Sequence, residues 1–384
     1  MYPHPQLNSY LNGLSLQTSK IIVNRTVYKA LQEKYTRGGR NSEFLRVTSI
    51  QPQCFAPHVD VTRAKCGFKQ FALPKLNMEL GSDDPLIVRQ ALTTLTDLLC
   101  YPEKLSEAIQ LNIPNSLTDF LVSNDPYLRE RVAMAYATIA NQVSGKEAIL
   151  KNLTTVANLS RGLDDSLAAV RLQVARVLEA LANNNSAADK LCIYGFVKAI
   201  SGKLTNERKD ILIIYLSILE LLFHRNSKAA AIKNGSFDEI VALLSRKDEI
   251  LLCKSLSCLR VLCEDLSGKQ KALELDLLVK LKELLTDKRE YVNLEAARVM
   301  SFITITSRGK LRLLELRMPS FLLLTLTQKC CPSQELILTN VAEAPEGRRM
   351  LLKYESLIEN IAVGKNQVLQ RHRQTLLDVV RWRP

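Results

Sequence analysis

The side chains that most often perform chemistry are scattered through this chain. The four histidines lie far apart, at His4, His58, His224 and His372. None belongs to an HExxH zinc motif or lies near a repeated carboxylate or thiol at ligand spacing. Cys253, Cys258 and Cys263 are five residues apart, which turns each about 140° from the last on a helix. Because they cannot share one helix face, we expect them to pack in a core rather than bind a metal.

Phosphate-binding and nucleophilic motifs are also missing from the sequence. Neither GxxxxGK[ST] nor GxGxxG occurs. Glycine-lysine pairs recur at Gly145-Lys146, Gly268-Lys269 and Gly309-Lys310, and their regular spacing predicts connections between helices rather than phosphate loops. Serine, aspartate and histidine follow no triad pattern. We therefore expect a non-enzyme with no cofactor, no metal and no small-molecule substrate.

Composition indicates a helical protein of the cytosolic type. The 384 residues are 47% hydrophobic, with only 14 Gly and 13 Pro. The nine cysteines are odd in number and lie mostly in aliphatic stretches, which is typical of reduced thiols in a cytosolic compartment. No run of about 18 uncharged apolar residues occurs, so we expect no membrane span.

The chain is strongly basic, with a net charge of +13. Such a surface attracts polyanions, whether acidic proteins, nucleic acid or anionic lipid. Residues 1 to 66 carry nine Lys or Arg against three Asp or Glu, whereas the middle of the chain is nearly balanced. The charge alone does not choose a partner, and we do not expect nucleic acid or a membrane.

A repeat of 41 residues organises the chain from Leu95 onward. Steps of 41 fall on apolar residues seven times, and the same holds three residues upstream and three downstream. The central column is Leu95, Tyr136, Val177, Ile218, Leu259, Met300 and Val341. Three such columns at spacings i, i+3 and i+6 form one face of a helix.

Each repeat divides into three helices. Asp84-Pro85 and Asp125-Pro126 place an N-capping acid before a proline at the first helical position, which predicts the start of a long helix. Two shorter helices follow, and three helices in 41 residues is the armadillo plan rather than the two-helix HEAT plan. We predict an all-α armadillo-type solenoid, a right-handed superhelix of about seven repeats. It spans residues 71–384, after a basic extension at 1–56 and a lead-in segment at 57–70.

The segment AEAPEG at residues 342–347 shortens the last repeat. After Val341 the next aliphatic anchor is Leu352, eleven residues on, where earlier repeats have fourteen. We expect Pro345 and Gly347 to end the long helix early and to begin a terminal cap from about residue 347. Glu343 and Glu346 are then solvated residues of a turn rather than catalytic acids.

Four segments resemble a known family. They are PHVDVTRA (57–64), FALPKLNMELGSDDPLIVRQALTTLTDLL (71–99), LTNVAEAPEGRRMLL (338–352) and KNQVLQRHRQTLLDVVRWRP (365–384). In order and spacing they resemble the radial spoke head protein 14 homologues, or rhabdoid tumour deletion region proteins. This family consists of armadillo-repeat components of the ciliary axoneme. The resemblance implies a non-catalytic scaffold that docks to other radial spoke proteins, located in the cytoplasm, cytoskeleton and axoneme of a cilium or flagellum.

The first fifty or so residues have no counterpart in that family. They contain VNRTVYKALQEKY, which predicts a short helix, followed by TRGGRNSEF. Three interpretations stay open: a disordered lineage-specific extension, an arm that contacts an acidic neighbour, and an acid-poor mitochondrial presequence.

Candidate binding residues follow from the solenoid plan. We expect the last helix of each repeat to line a concave surface, and Asn115, Lys198, Glu239 and Lys280 are the corresponding positions. A second candidate set for an acidic partner is Arg371, Arg373, Arg381 and Arg383. A nuclear-import adaptor would need a ladder of Trp and Asn, and this chain has one Trp, Trp382. The alternative function is a cytosolic armadillo adaptor that binds an acidic or helical peptide.

Overall fold

The computed structural model describes residues 62–66, 71–328, 331–361 and 366–382. Within these ranges the chain is helical and contains no strand. Seven long helices recur, beginning at residues 85, 126, 168, 209, 249, 290 and 332, in steps of 40 to 42 residues. The predicted period and all-α class are therefore confirmed. The predicted extension at 1–56 lies outside the described residues, as does most of the lead-in segment.

Each repeat contains a long first helix, a shorter second helix and a third helix. After α1 (Ala72–Glu79), the first repeat comprises α2 (Pro85–Leu98), α3 (Pro102–Gln110) and α4 (Ile113–Ser116), with a 3₁₀ turn at Asp119–Val122. The second comprises α5 (Pro126–Ile139), α6 (Val143–Lys151) and α7 (Leu153–Gly162). The third comprises α8 (Ala168–Ala182), α9 (Asn185–Ile193) and α10 (Phe196–Ser201). The fourth comprises α11 (Lys209–Phe223), α12 (Lys228–Lys233) and α13 (Ser236–Leu243).

The same order continues to the C-terminal end. The fifth repeat comprises α14 (Glu249–Leu262), α15 (Leu266–Glu274) and α16 (Leu277–Leu285). The sixth comprises α17 (Glu290–Ile303), α18 (Ser307–Glu315) and α19 (Met318–Gln328). The seventh comprises α20 (Pro332–Ala342), α21 (Pro345–Leu351), a 3₁₀ turn at Leu352–Tyr354 and α22 (Glu355–Glu359), and α23 (Gln367–Arg381) closes the end.

The predicted N-caps begin the first two long helices. Asp84 accepts a hydrogen bond from the backbone amide of Leu86, and Asp125 accepts one from that of Tyr127. In both helices proline occupies the first turn, where an amide hydrogen would have no intrahelical partner. These caps fix where α2 and α5 start, and hence which of their side chains face inward.

The long helices pack side by side into one continuous layer, each against the next from α2 to α20. The central predicted column, from Leu95 to Val341, is fully buried in this layer, and so is the column three residues upstream. The column three residues downstream divides: Ile139, Leu262 and Ile303 are buried, whereas Leu98 and Ala180 are half-buried. It lies about 60° away from the central column, at the border of the buried face.

The recurrent glycines are not in the turns between helices, where the sequence pattern had placed them. Gly145, Gly268 and Gly309 lie in the first turn of α6, α15 and α18. A Cβ atom on Gly268 would lie 2.0 Å from the carbonyl oxygen of Leu262. Glycine therefore allows the second helix to approach the end of the long helix closely.

The AEAPEG segment has the same close approach of the second helix to the end of the long helix. This finding corrects the expectation that Pro345 and Gly347 end the long helix. The long helix α20 ends at Ala342, and Pro345 begins the next helix instead of ending the previous one. A Cβ atom on Gly347 would lie 2.2 Å from the carbonyl oxygen of Val341, so this glycine corresponds to Gly268. Glu343 and Glu346 are exposed, as expected.

Two segments cover the ends of the solenoid. At the C-terminal end, α23 packs against α20 and α22. At the N-terminal end, residues 62–66 lie along α2, where the amide of Ala64 donates to Thr94 Oγ1 at 2.8 Å. None of the helices in the described part of the chain combines the length and apolarity that a membrane span needs.

Candidate protein-binding groove

The layer of long helices forms a polar hollow over its first three members. The hollow has a volume of about 490 Å³ and is lined by α2, α5, α8 and the residues that directly follow them. Its polar lining includes Thr96, Asp97, Arg131, Thr138, Asn141, Gln173, Arg176, Glu179 and Asn183. This face of the long helices is therefore polar, whereas the face that carries the aliphatic columns is apolar and packs in the core.

Charges in this hollow are mixed. Arg131, Arg176, Asp97 and Glu179 all line it, and Arg176 Nη1 donates to Gln173 Oε1 at 3.3 Å. Amide and hydroxyl groups lie between the charges, so the surface offers both donors and acceptors. Met134 supplies a flexible apolar contact among them. Such a lining suits a protein segment with polar side chains and free backbone groups.

A second hollow of about 320 Å³ lies further along the same layer. It is lined by Arg260, Arg298, Ser301, Phe302 and Ser333, from α14, α17 and α20. We call the face of the long helices that contains both hollows the groove. Two arginines beside an aromatic ring favour a carboxylate in this second part of the groove.

Glu220, on α11, contacts an arginine of the second hollow. It accepts a hydrogen bond from Ser257 Oγ at 2.5 Å and lies 3.6 Å from the Arg260 guanidinium. Arg298 forms its own ion pair with Glu295 at 2.5 Å. Since both arginines already have acidic neighbours, a partner's carboxylate would have to compete with Glu220 and Glu295.

A ladder of ion pairs links successive repeats beside the starts of the long helices. Arg89 pairs with Asp125, Arg129 with Asp165 and Arg171 with Glu207, at N–O distances of 2.7, 2.5 and 2.6 Å. In each pair the two residues are 36 positions apart. Lys209 and Asp248 continue the ladder at 2.5 Å.

The ladder changes the ionisation of its carboxylates. The hydrogen bond from Arg89 lowers the pKa of Asp125. Burial alone would raise the pKa of Asp165, but hydrogen bonds from Arg129 and the Leu167 amide outweigh it, and the pKa lies below its usual value. These carboxylates therefore remain ionised at neutral pH and hold neighbouring repeats together.

Residues 62–66 reach the N-terminal mouth of the groove. The guanidinium of Arg63 donates to Asp97 Oδ2 at 2.7 Å, and Asp97 lines the first hollow. The Ala64 amide also lies 3.3 Å from the carbonyl oxygen of Gln90. The lead-in segment therefore contributes a basic side chain to the edge of the groove.

The structure places the four residues predicted from the repeat plan on the last helices of their repeats, as expected. Asn115 lies on α4, Lys198 on α10, Glu239 on α13 and Lys280 on α16, the third helices of their repeats. None of the four lines either described hollow. The long helices line these hollows, whereas the last helices of the repeats do not. Binding through these four residues stays a prediction for a different surface.

Two of the four C-terminal arginines predicted as binding residues make polar contacts within the chain. Arg373 Nη1 donates to the carbonyl oxygen of Ile361 at 3.0 Å. Arg381 pairs with Glu355 at 2.6 Å and also with Glu359. Arg371 is exposed, and Arg383 lies outside the described residues. An acidic partner would compete with internal contacts at Arg373 and Arg381, so its binding to this set stays a prediction.

The cysteines that raised the question of a metal site lie in the core or at its border. Cys258 and Cys263 are fully buried, and burial raises the pKa of the Cys263 thiol to about 12. Burial also raises the pKa of Cys258, whose Sγ contacts the carbonyl oxygen of Leu216. Among the described residues no group of His, Cys, Asp or Glu is arranged to hold a metal ion.

Several solved structures are similar in fold to this chain. No family model matches the sequence. An engineered protein solved by a structural genomics consortium matches with a TM-score of 0.62 and 17% identity, over 81% of this chain and 89% of that chain. A computationally designed armadillo repeat protein for modular peptide recognition matches with a TM-score of 0.56 and 19% identity, over 60% and 99% of the two chains. This chain is an armadillo-type α-solenoid.

A further similar structure is a designed armadillo repeat protein in complex with the peptide (KR)4. It has a TM-score of 0.54 and 20% identity, over 60% of this chain and 99% of that chain. In this chain Arg131, Arg176, Arg260 and Arg298 are among the residues that line the two hollows. The sequence signal that could have located the groove is the polar residues of the long helices, which interrupt their otherwise apolar pattern.

Proposed function

We propose that this chain is a non-enzymatic scaffold of the axonemal radial spoke, which supports ciliary or flagellar motility by docking other spoke proteins. The observation that carries the scaffold role is the continuous layer of long helices, with its two polar hollows. The resemblance of residues 57–64, 71–99, 338–352 and 365–384 to the radial spoke head protein 14 homologues supports the placement in the axoneme.

The mechanism is geometric. Each repeat buries its apolar face against the next, and the ion pairs Arg129–Asp165 and Arg171–Glu207 hold the repeats in register. A partner bound across several repeats is therefore held by one rigid element. Rigidity lets force applied at one docking point reach another point of the spoke.

Fractionation of motile cells tests the location. We expect the protein in the axonemal pellet after detergent extraction, and we expect impaired beating when it is removed. Recovery solely in nuclei or soluble cytosol, together with normal beating after removal, would contradict the proposal.

The second candidate is a cytosolic adaptor for an acidic or helical peptide. The specific observation that favours it is the pair Arg260 and Arg298 in the second hollow. The similarity in fold to a designed protein for modular peptide recognition also supports this adaptor function. This function predicts that the fragment 72–384 binds an isolated acidic peptide with an affinity that falls steeply as salt rises. Replacing both arginines by glutamine should weaken this binding and reduce its dependence on salt.

A further inference from the structure

Four exposed apolar side chains lie outside the residues that line the groove, at equivalent junctions of repeats one to three. Leu111, Leu153, Ile193 and Tyr194 are 40%, 63%, 80% and 38% exposed. All four lie at the junction between the second and third helix of their repeats. We call these four residues the apolar ridge. Large exposed apolar side chains that share one surface mark a site of interaction more often than chance placement does.

The repeat structure places the junctions side by side. Leu111 directly follows α3, Leu153 begins α7 and Ile193 ends α9. Since α3 packs against α6 and α6 packs against α9, the three junctions follow one another along the stack of repeats. Asn152 Nδ2 donates to Asn115 Oδ1 at 3.0 Å and joins the first two junctions directly.

The apolar ridge is confined to the first three repeats. In the fourth repeat the corresponding positions are Lys233 and Asn234, which are exposed and polar. In the fifth and sixth repeats the counterparts of Ile193 are Glu274 and Glu315, which are exposed. Those of Tyr194 are Leu275 and Leu316, which are half-buried and pack against the core. The fold does not require an apolar side chain at Ile193, since repeats four to six have exposed polar residues at this position.

Basic side chains border the apolar ridge. Lys151 ends α6 beside Leu153, and Lys198 lies in the first turn of α10 after Tyr194, and both are exposed. The nearby carboxylate of Asp189 is already paired with Arg225 at 2.7 Å. An acidic partner would therefore meet complementary charge at this edge.

We propose that the apolar ridge binds an amphipathic helix of a protein partner, with apolar residues repeated every seven positions and acidic residues along their borders. Packed neighbouring helices lie about 8–10 Å apart, and seven residues of α-helix advance about 10.5 Å. One apolar side chain of the partner helix thus meets each repeat. The site is separate from the groove and does not depend on the radial spoke assignment.

Binding of a labelled synthetic helix to the full chain, measured by fluorescence anisotropy, tests the proposal. The probe is a peptide of about 20 residues with leucines every seven positions and adjacent glutamates. Two further peptides carry lysine in place of glutamate, or the same composition in scrambled order. We expect the acidic helix to bind most tightly, and equal binding of the scrambled peptide would overturn the proposal.

Surface variants then locate the binding site. The double variant Leu153→Ser with Ile193→Ser removes two exposed side chains and should weaken binding about tenfold or more. Leu266→Ser is the matched control, because Leu266 is 62% exposed at the start of α15 and outside the ridge. Circular dichroism spectra and melting temperatures should match the wild type in both. Equal losses in the control and the double variant would contradict the assignment.

Charge reversal and lipid provide the last two tests. Lys151→Glu with Lys198→Glu should weaken binding of the acidic peptide and strengthen binding of the lysine peptide. The apolar ridge should not bind vesicles that contain phosphatidylserine. The wild type could instead bind these vesicles and not the acidic helix, with vesicle binding lost in the Leu153→Ser, Ile193→Ser variant. In that case a lipid surface is the partner and the proposal is wrong.

Discussion

The guanidinium of Arg129 makes two hydrogen bonds to the carboxylate of Asp165, from Nε at 2.5 Å and from Nη2 at 3.0 Å. The Asp165 side chain is only 7% exposed, and its partner comes from the preceding repeat. Arg171 makes the same two-point contact to Glu207 one repeat further on. Two-point contacts fix orientation as well as distance, so they specify how one repeat is rotated on the next.

Removing the Arg129 guanidinium should destabilise the solenoid. Arg129→Met leaves the buried Asp165 carboxylate without its partner, which we expect to lower the free energy of unfolding by about 1–3 kcal/mol. The matched control is Arg208→Met, because Arg208 is 63% exposed and pairs with Asp210 within its own repeat. Urea denaturation followed by circular dichroism measures both, and an equal effect of the two changes would contradict a special role for the ladder.

The contribution of the ladder should depend on pH. Asp125, Asp165 and Glu207 have folded-state pKa values below their usual values, so their pairing stabilises the fold above about pH 4 and is lost as pH falls through the folded-state values. The difference in unfolding free energy between the wild type and the Arg129→Met, Arg171→Met variant should therefore be largest near neutral pH and shrink toward pH 3. A difference that stays constant over that range would show that the carboxylates do not act through their charge.

The close approach at Gly268 makes a second stability prediction. Gly268→Ala places a methyl group against the Leu262 carbonyl and should destabilise the fold by about 2 kcal/mol or more, despite the higher helix propensity of alanine. Gly202→Ala is the control, since a Cβ atom there would meet its nearest neighbour at 3.6 Å in a right-handed helical conformation. Thermal unfolding should separate the two variants, and similar melting temperatures would refute the contact.

Thiol labelling should distinguish the buried cysteines from exposed Cys100. Cys258 and Cys263 are buried and have raised pKa values, whereas Cys100 is exposed at the first hollow of the groove. Iodoacetamide at neutral pH should modify Cys100 in the native protein and reach Cys258 and Cys263 only in denaturant. Peptide mass mapping gives the result, and rapid native labelling of Cys258 would contradict the packing of α14.

Periodicity predicted the core of this protein because burial repeats with the fold. The apolar columns through Leu95 and Leu92 follow from the 3.6-residue helix period, and both are buried throughout. The caps at Asp84 and Asp125 were predicted from local chemistry instead, because the free amides at a helix start need an acceptor.

The groove could not be predicted in the same way. Which of three helices lines a groove depends on how successive repeats are rotated, and that rotation arises from contacts between residues 36 positions apart, such as Arg129 and Asp165. The role of Gly268 was missed for a similar reason. A glycine required for close approach and a glycine in a turn look alike in sequence, and only the Leu262 carbonyl distinguishes them.

The central proposal is that this solenoid docks other spoke proteins in the axoneme. Cross-linking mass spectrometry on intact axonemes from motile cells tests it most directly. We predict cross-links from the protein to other radial spoke proteins, among them links from Lys254, a lysine of the long helix α14. Absence of the protein from the axoneme, or cross-links that join it only to proteins outside the spoke, would contradict the account.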